Sequence, residues 1–193
     1  MSTGWGIISC GDYADSRGAP GINRAEGAEL VAVHSRDQGR ADAFATKHGA
    51  DTAYTSVEAV LGDSRVDAVY ITSPNHLHAE YTKMAASAGK HVLVEKPLSL
   101  NVADGAEVLR VCRGRGVKLG LGLHLRHHPG HIKASRLVQN GALGTVALAQ
   151  AQIGQGERGN VRSEPRSGLR DWWTHTDLVG GAFSMMTIGV HAI

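Results

Sequence analysis

The sequence predicts an α/β protein, a doubly wound parallel sheet followed by an incomplete α+β region. Three observations predict it. Apolar runs of strand length alternate with helix-period segments from residue 5 to about 122. Most of those runs are continuously apolar, as strands covered on both faces are. Side chains able to cap a helix open the helical segments, and glycines close the first two.

In order along the chain, Trp5–Ser9 is the first strand and runs into SCGDYA, residues 9–14. Glu29–Ser35 is the second strand. Asp37 then caps a helix carrying Ala41, Phe44, Ala45 and His48 on one stripe, closed by Gly49. Thr52–Tyr54 and Val66–Thr72 are the third and fourth strands. Asn75 reads as the cap of a helix carrying Leu77, Tyr81, Met84, Ala85 and Ala88, closed by Gly89. His91–Val94 is the fifth strand, Asn101 caps a helix with Val102, Ala106, Leu109 and Cys112, and Val117–Gly122 is the sixth strand. Strands and helices at this spacing make βαβ units with right-handed crossovers. Six strands suit the doubly wound dinucleotide-binding order, whose crevice lies where the winding reverses.

After Gly122 the pattern changes. Pro129 to Asn140 reads as a helix stopped by Asn140-Gly141, and Thr145 to Ile153 as one strand with partial alternation. The polar segment GQGERGNVRSEPRSG follows, then a helix-like stretch from Ala182. The expected division is a nucleotide-binding domain over 1–122 and, over 123–193, the start of a substrate and oligomerisation domain. The helix-like pattern reaches Ile193 without a stop signal, and the expectation is a truncated chain.

Composition removes several classes. A hydrophobic content of 42% with 20% charged residues is that of an ordinary globular protein. A formal charge of +2 gives no reason to expect nucleic acid or an anionic membrane as partner. No run approaches the ~20 apolar residues of a membrane span. Two cysteines, Cys10 and Cys112, imply no disulfide framework, and a cytoplasmic location is the expectation.

In SCGDYA, Gly11 and Ala14 fit the second and third small positions of a phosphate-binding turn, with Asp12 and Tyr13 between them. Ser9 stands where the first glycine is wanted, so an ordinary strand-to-helix turn is the competing reading. At the tip of the second strand, Ser35 and Arg36 occupy the place of a ribose-binding acid. A hydroxyl followed by a guanidinium suits a 2′-phosphate, so NADP is expected, with NAD as the alternative and a solvated Arg36 as the plain reading. The fifth strand runs into Glu95, Lys96 and Pro97. Charges are costly to bury and proline ends a central strand, so the chain leaves the core here, at the end of the sheet where ligands bind. A single lysine is most often a surface residue, and Lys96 needs context to be more.

That context is a resemblance. SCGDYA, ELVAVHSRD, VDAVYITSPNHLH and AGKHVLVEKPLS, in that order, resemble the glucose–fructose oxidoreductase/inositol dehydrogenase (Gfo/Idh/MocA) family, and LHLRHHP and GGAFSMMTIGVHAI resemble its later landmarks. The resemblance implies an N-terminal Rossmann domain, NAD(P), hydride transfer on sugars, cyclitols or related polyols, and a C-terminal sheet for substrate and subunit contacts, hence a homo-oligomer for the full-length parent. It implies that Lys96 is the active-site lysine and Pro97 its cis partner. A cation there stabilises charge developing on a substrate oxygen.

The family's D-x-x-x-H pattern places the second acid/base group at His191, with Thr187 in place of the aspartate. A hydroxyl shares that helix face but cannot orient an imidazolium as a carboxylate does. A packed core histidine is the alternative for His191. Thr72, Ser73, Pro74, Asn75 and His78 match the loop that relatives use around ribose and nicotinamide, and Asn75 fits a helix cap as well. Glu95 is placed beside the cofactor with Lys96, and Arg126 near the nicotinamide or in a structural role. His124, His127, His128 and His131 lack a matching cysteine or carboxylate, so no metal is expected. Ser9 and Thr187 keep open a second reading, a non-catalytic nucleotide-binding regulatory module.

Overall fold

The computed structural model of the chain describes residues 2–151 and 175–180. Six parallel strands form one sheet: β1 (Thr3–Ile8), β2 (Ala28–His34), β3 (Thr52–Tyr54), β4 (Ala68–Ile71), β5 (His91–Val94) and β6 (Leu119–Leu121). Their spatial order is β3-β2-β1-β4-β5-β6. The winding reverses between β1 and β4, the expected doubly wound arrangement.

The apolar runs sort into two faces by the period-2 geometry of a strand. Ile7, Leu30, Val33 and Tyr70 pack on one side with Ala14, Ala19, Ile22 and Phe44. Ile8, Val31, Val69, Ile71, Val92 and Val94 pack on the other with Val57, Val60, Leu61 and Ala85. Neighbours such as Ile7 and Ile8 are both fully buried because both faces are covered.

The covering helices are α1 (Ala19–Arg24), entered through a π-helical turn at Ala14–Gly18, then α2 (Gln38–His48), α3 (Val57–Gly62), α4 (His78–Ser87) and α5 (Val102–Gly114). Asp37 Oδ1 accepts from Arg40 N at 2.8 Å and Asn101 Oδ1 from Asp104 N at 2.8 Å, so two expected caps are present. Gly49 and Gly89 end α2 and α4 at φ 75° and 76°, where a glycine carries no steric cost. The third cap is corrected. Asn75 lies inside a 3₁₀ turn, Asn75–Leu77, that precedes α4, and its side chain caps nothing.

Beyond β6 come a 3₁₀ turn at His124–His127, α6 (Pro129–Gln139) and α7 (Thr176–Val179). The α6 residues are exposed except for a half-buried Ile132. α7 packs on the Asn75–Leu77 turn, with Val179 buried. The strand expected over Thr145–Ile153 is not formed in its described part, 145–151, where the chain is irregular and the residues are exposed. Alternation alone does not make a strand; a paired neighbour does, and none lies alongside among the described residues. No helix among the described residues is long and apolar enough to cross a membrane.

Candidate active site

The carboxyl ends of β1, β2 and β4 open into one cleft of about 770 Å³. Ser9, Gly11, Asp12 and Tyr13 from the loop after β1 line it, as do Ser35 and Arg36 after β2 and Thr72, Ser73 and Pro74 after β4. These nine expected residues are brought together by three separate crossovers, which is how an α/β sheet collects distant sequence at a switch point.

Each loop has its own anchors. Ser9 takes a left-handed backbone, φ 78°, the conformation a glycine would adopt freely there. Thr72 Oγ1 donates to Ser9 O at 2.7 Å, and Cys10 N donates to His34 O at 3.0 Å, tying the turn to β4 and β2. Gly11 is bare for a different reason. Its backbone is ordinary, and a Cβ added to it meets no protein atom within 4 Å. Ala14 lies buried behind the loop, against the sheet.

At the tip of β2, Asp37 is committed to capping α2, and it is Arg36 and Arg40, both exposed, that line the cleft. Ser35 is buried, and its Oγ accepts from Asp37 N at 3.4 Å. His34, His76, Leu77, Tyr81, Cys10, Ser16 and Arg40 line the cleft without having been expected. Arg40 carried a readable signal, since it stands one helical turn beyond Arg36. Burial pushes the Cys10 thiol up to about 12, so it is a packed wall and no thiolate nucleophile at neutral pH. Burial holds His34 and His76 below the ordinary imidazole value, and each has an Nδ1 without a partner.

Three expected cofactor residues stand behind the cleft wall. His78 is 1% exposed, with Nδ1 2.6 Å from Pro97 O and Nε2 2.9 Å from Ser73 O, so it joins the loops after β4 and β5. Burial pushes its pKa down, against the pull of the two carbonyls. Asn75 is buried with Nδ2 unpartnered and does not line the cleft. Glu95 is 7% exposed and accepts from Tyr70 Oη at 2.6 Å.

Lys96 follows at the tip of β5, half-buried, and the Lys96–Pro97 peptide is cis. Burial lowers the Lys96 pKa below the usual lysine value, and the Glu95 carboxylate opposes that shift. Arg126 is exposed in the 3₁₀ turn after β6, away from the cleft lining. His128 Nδ1 accepts from Gly130 N and His131 Nδ1 faces Leu125 O at 2.8 Å; no group among the described residues could hold a metal ion. Thr187 and His191 lie outside the described residues.

Comparison with known proteins matches residues 3–123 to the GFO_IDH_MocA model, an oxidoreductase family with an NAD-binding Rossmann fold. This chain belongs to that family. A 1,5-anhydro-D-fructose reductase of Ensifer adhaerens is 40% identical over 146 residues, 76% of this chain and 44% of the relative. D-xylose 1-dehydrogenase (NADP(+)) 2 of Haloferax volcanii is 36% identical over 189 residues, 98% of this chain and 54% of the relative. Among solved structures, KijD10, a 3-ketoreductase from Actinomadura kijaniata in complex with NADP, superposes with a TM-score of 0.69 at 34% identity, covering 75% of this chain and 46% of that one. The chain spans about half the length of the curated relatives it matches. The GFO_IDH_MocA match contains all six strands, the cleft and Lys96; α6 and the irregular residues after it lie beyond.

Proposed function

We propose that this chain binds a nicotinamide dinucleotide, NADP in preference to NAD, as part of an oxidoreductase. Its substrate is a carbinol or carbonyl carbon of a sugar, cyclitol or related polyol. The observation that carries the reading is Gly11: protein packing gives no reason for a glycine there, whereas a phosphate group needing close approach to the backbone does. The residues present fit such a group. The loop 9–14 would hold the pyrophosphate on its backbone N–H groups. Arg36 and Arg40, exposed at the cleft rim, would hold a 2′-phosphate through paired N–H donors. Thr72, Ser73 and Pro74 would line the ribose and nicotinamide side. Arg126 remains assigned, by similarity, near the nicotinamide or to structure.

Bound there, the dinucleotide supplies the hydride donor or acceptor. Lys96 Nζ stabilises charge on the substrate oxygen, and the partial burial that lowers its pKa also eases proton release from Nζ. Proton exchange with substrate is assigned, by similarity, to His191, with Thr187 as a positioning hydroxyl. The activities named for the relatives, an anhydro-sugar reductase and an NADP-dependent xylose dehydrogenase, support the substrate class. Residues 1–122 form the nucleotide-binding domain and 123–193 begin the substrate domain, which in the whole protein also makes the homo-oligomer contacts.

Because the chain spans about half of its relatives, its turnover alone is expected to be low, and binding is the first readout. Nicotinamide fluorescence should report saturable NADPH binding, tighter than NADH. Lys96→Ala should keep that affinity and abolish what turnover exists. Absence of saturable binding by either nucleotide refutes the reading; unchanged turnover in Lys96→Ala reduces it to a regulatory module.

A further inference from the structure

The sheet holds the chain just before Lys96, where Glu95 N donates to Ile71 O at 2.9 Å. Just after it, Leu98 packs against the core. Between these anchors Pro97 is buried and has no N–H, so its carbonyl is the backbone group by which it can be held. A buried carbonyl needs a donor, and His78 faces this one. The His78 Nδ1 lies 2.6 Å from Pro97 O, and Nε2 lies 2.9 Å from Ser73 O. His78 is 1% exposed and opens α4, with its own N bonded to Asn75 O, so the ring is presented from a fixed helix end.

Both atoms that the ring faces are carbonyl oxygens, and neither can donate. A neutral imidazole has one N–H, so it hydrogen-bonds one of the two loops it touches and turns a lone pair to the other. Satisfying both takes a second proton. Burial opposes that charge, as do the Lys96 ammonium and the positive end of α4, whereas the two carbonyls and the Glu95 carboxylate favour it. Burial is the largest of these effects and holds the ring below the ordinary imidazole value, so at neutral pH it carries one proton. The shorter contact marks its place. Two lone pairs would repel strongly at 2.6 Å, a distance that an N–H donor makes favourable.

We propose that His78 is a positioning residue for Lys96, with its one proton on Nδ1 and donated to Pro97 O, so that α4 fixes the chain immediately after the lysine. The proposal rests on the reading of Lys96 given above. It gives the ring a task in the reaction although the ring does not line the cleft.

The test uses the full 193-residue chain, isotope-labelled at the histidine nitrogens and at lysine Cε, with thermal melts and NADPH titration in parallel. Imidazole-nitrogen NMR of the parent at neutral pH should show His78, identified by the loss of its signal in the variants, protonated on Nδ1 and bare on Nε2. Asparagine carries an amide N–H near the Nδ1 position and glutamine near the Nε2 position, so these two replacements separate the contacts. His78→Asn should leave the NMR titration of Lys96 close to that of the parent. His78→Gln and His78→Phe should move it up toward the ordinary lysine value of 10.5, because the burial that lowers it is lost. Should a variant fail to fold in the melts, the proton position in the parent still decides. A proton on Nε2 alone or on both nitrogens, or an unmoved Lys96 titration in folded His78→Gln and His78→Phe, overturns the proposal while leaving nucleotide binding intact. No saturable NADPH binding by the parent overturns the nucleotide reading itself, and with it the task given to Lys96 and His78.

Discussion

Replacing Gly11 by alanine separates protein packing from ligand contact. The added Cβ meets no protein atom within 4 Å, and Gly11 is absent from the positive-φ positions, so the folded chain accommodates the methyl without strain. Alanine also narrows the unfolded ensemble, which stabilises a compatible site by about 0.4–1 kcal/mol. For a chain of this size that raises the melting temperature by roughly 1–4 °C. The same methyl occupies the space in which a pyrophosphate must meet the backbone, so NADPH affinity should fall by at least about tenfold, or ~1.4 kcal/mol. Scanning fluorimetry and NADPH fluorescence on the same samples give both numbers. A melting temperature lowered by several degrees with binding intact refutes the argument, because Gly11 would then serve packing and not a ligand.

Three further outcomes follow from the same geometry. Arg36→Ala and Arg40→Ala should each weaken NADPH about tenfold, consistent with ~1.5–3 kcal/mol for a charge-assisted hydrogen bond, and leave NADH within about twofold; equal losses for both nucleotides contradict 2′-phosphate recognition. Ser9→Gly relieves a left-handed serine worth about 1–2 kcal/mol of strain, partly offset by glycine's entropy, so titration melts should show up to ~1 kcal/mol of added stability; an unchanged or lowered melt means the hydroxyl contributes more than the backbone costs. Asp63, hydrogen-bonded chiefly by Arg65, has its pKa held at about 2 against an ordinary 3.8. A depressed folded pKa gives stability that is present above 3.8 and lost as pH falls through about 2. Asp63→Asn should therefore be less stable than the parent at pH 5, and the gap should narrow as pH falls from 3.8 through about 2 and close below it; a gap independent of pH contradicts the ion-pair account.

The sheet was legible because a strand covered on both faces has to be apolar at consecutive positions, and Ile7-Ile8 or Val31 to Val33 read that way without any partner in view. Two of the helices covering the sheet were not legible. α1 and α3 have six residues each, too few to repeat a 3.6-residue stripe twice, and α1 includes Pro20 and Gly21. Asn75 shows the limit of cap reading: an acceptor before an apolar stripe is necessary for a cap, yet the 3₁₀ turn takes up that position first. Arg36 could be read from a strand tip, but His78 and Glu95 could not be placed, because whether a polar side chain faces a cleft or the layer behind it depends on contacts with residues 19 to 25 positions away.

The two ends of the sheet are built to different standards. At the amino end, polar groups are matched: Lys90 Nζ donates to Asp63 O and Val66 O, Asp67 Oδ2 accepts from Gly4 N, and Arg65 bridges Asp63 and Asp51. At the carboxyl end the chain keeps a serine at φ 78° and leaves His34 Nδ1, Asn75 Nδ2 and His76 Nδ1 buried without partners, three of the four such side-chain atoms among the described residues; the fourth, Thr82 Oγ1, lies within α4. An unsatisfied buried group costs about 1–3 kcal/mol, and a left-handed serine adds to that. Both ends are made by the same six strands, so a general laxity of packing would show at each. Placing most of the cost at one end, with His34, His76 and the Ser9 loop lining a cleft edged by guanidiniums, is what a sheet does when a bound anion is to supply contacts there.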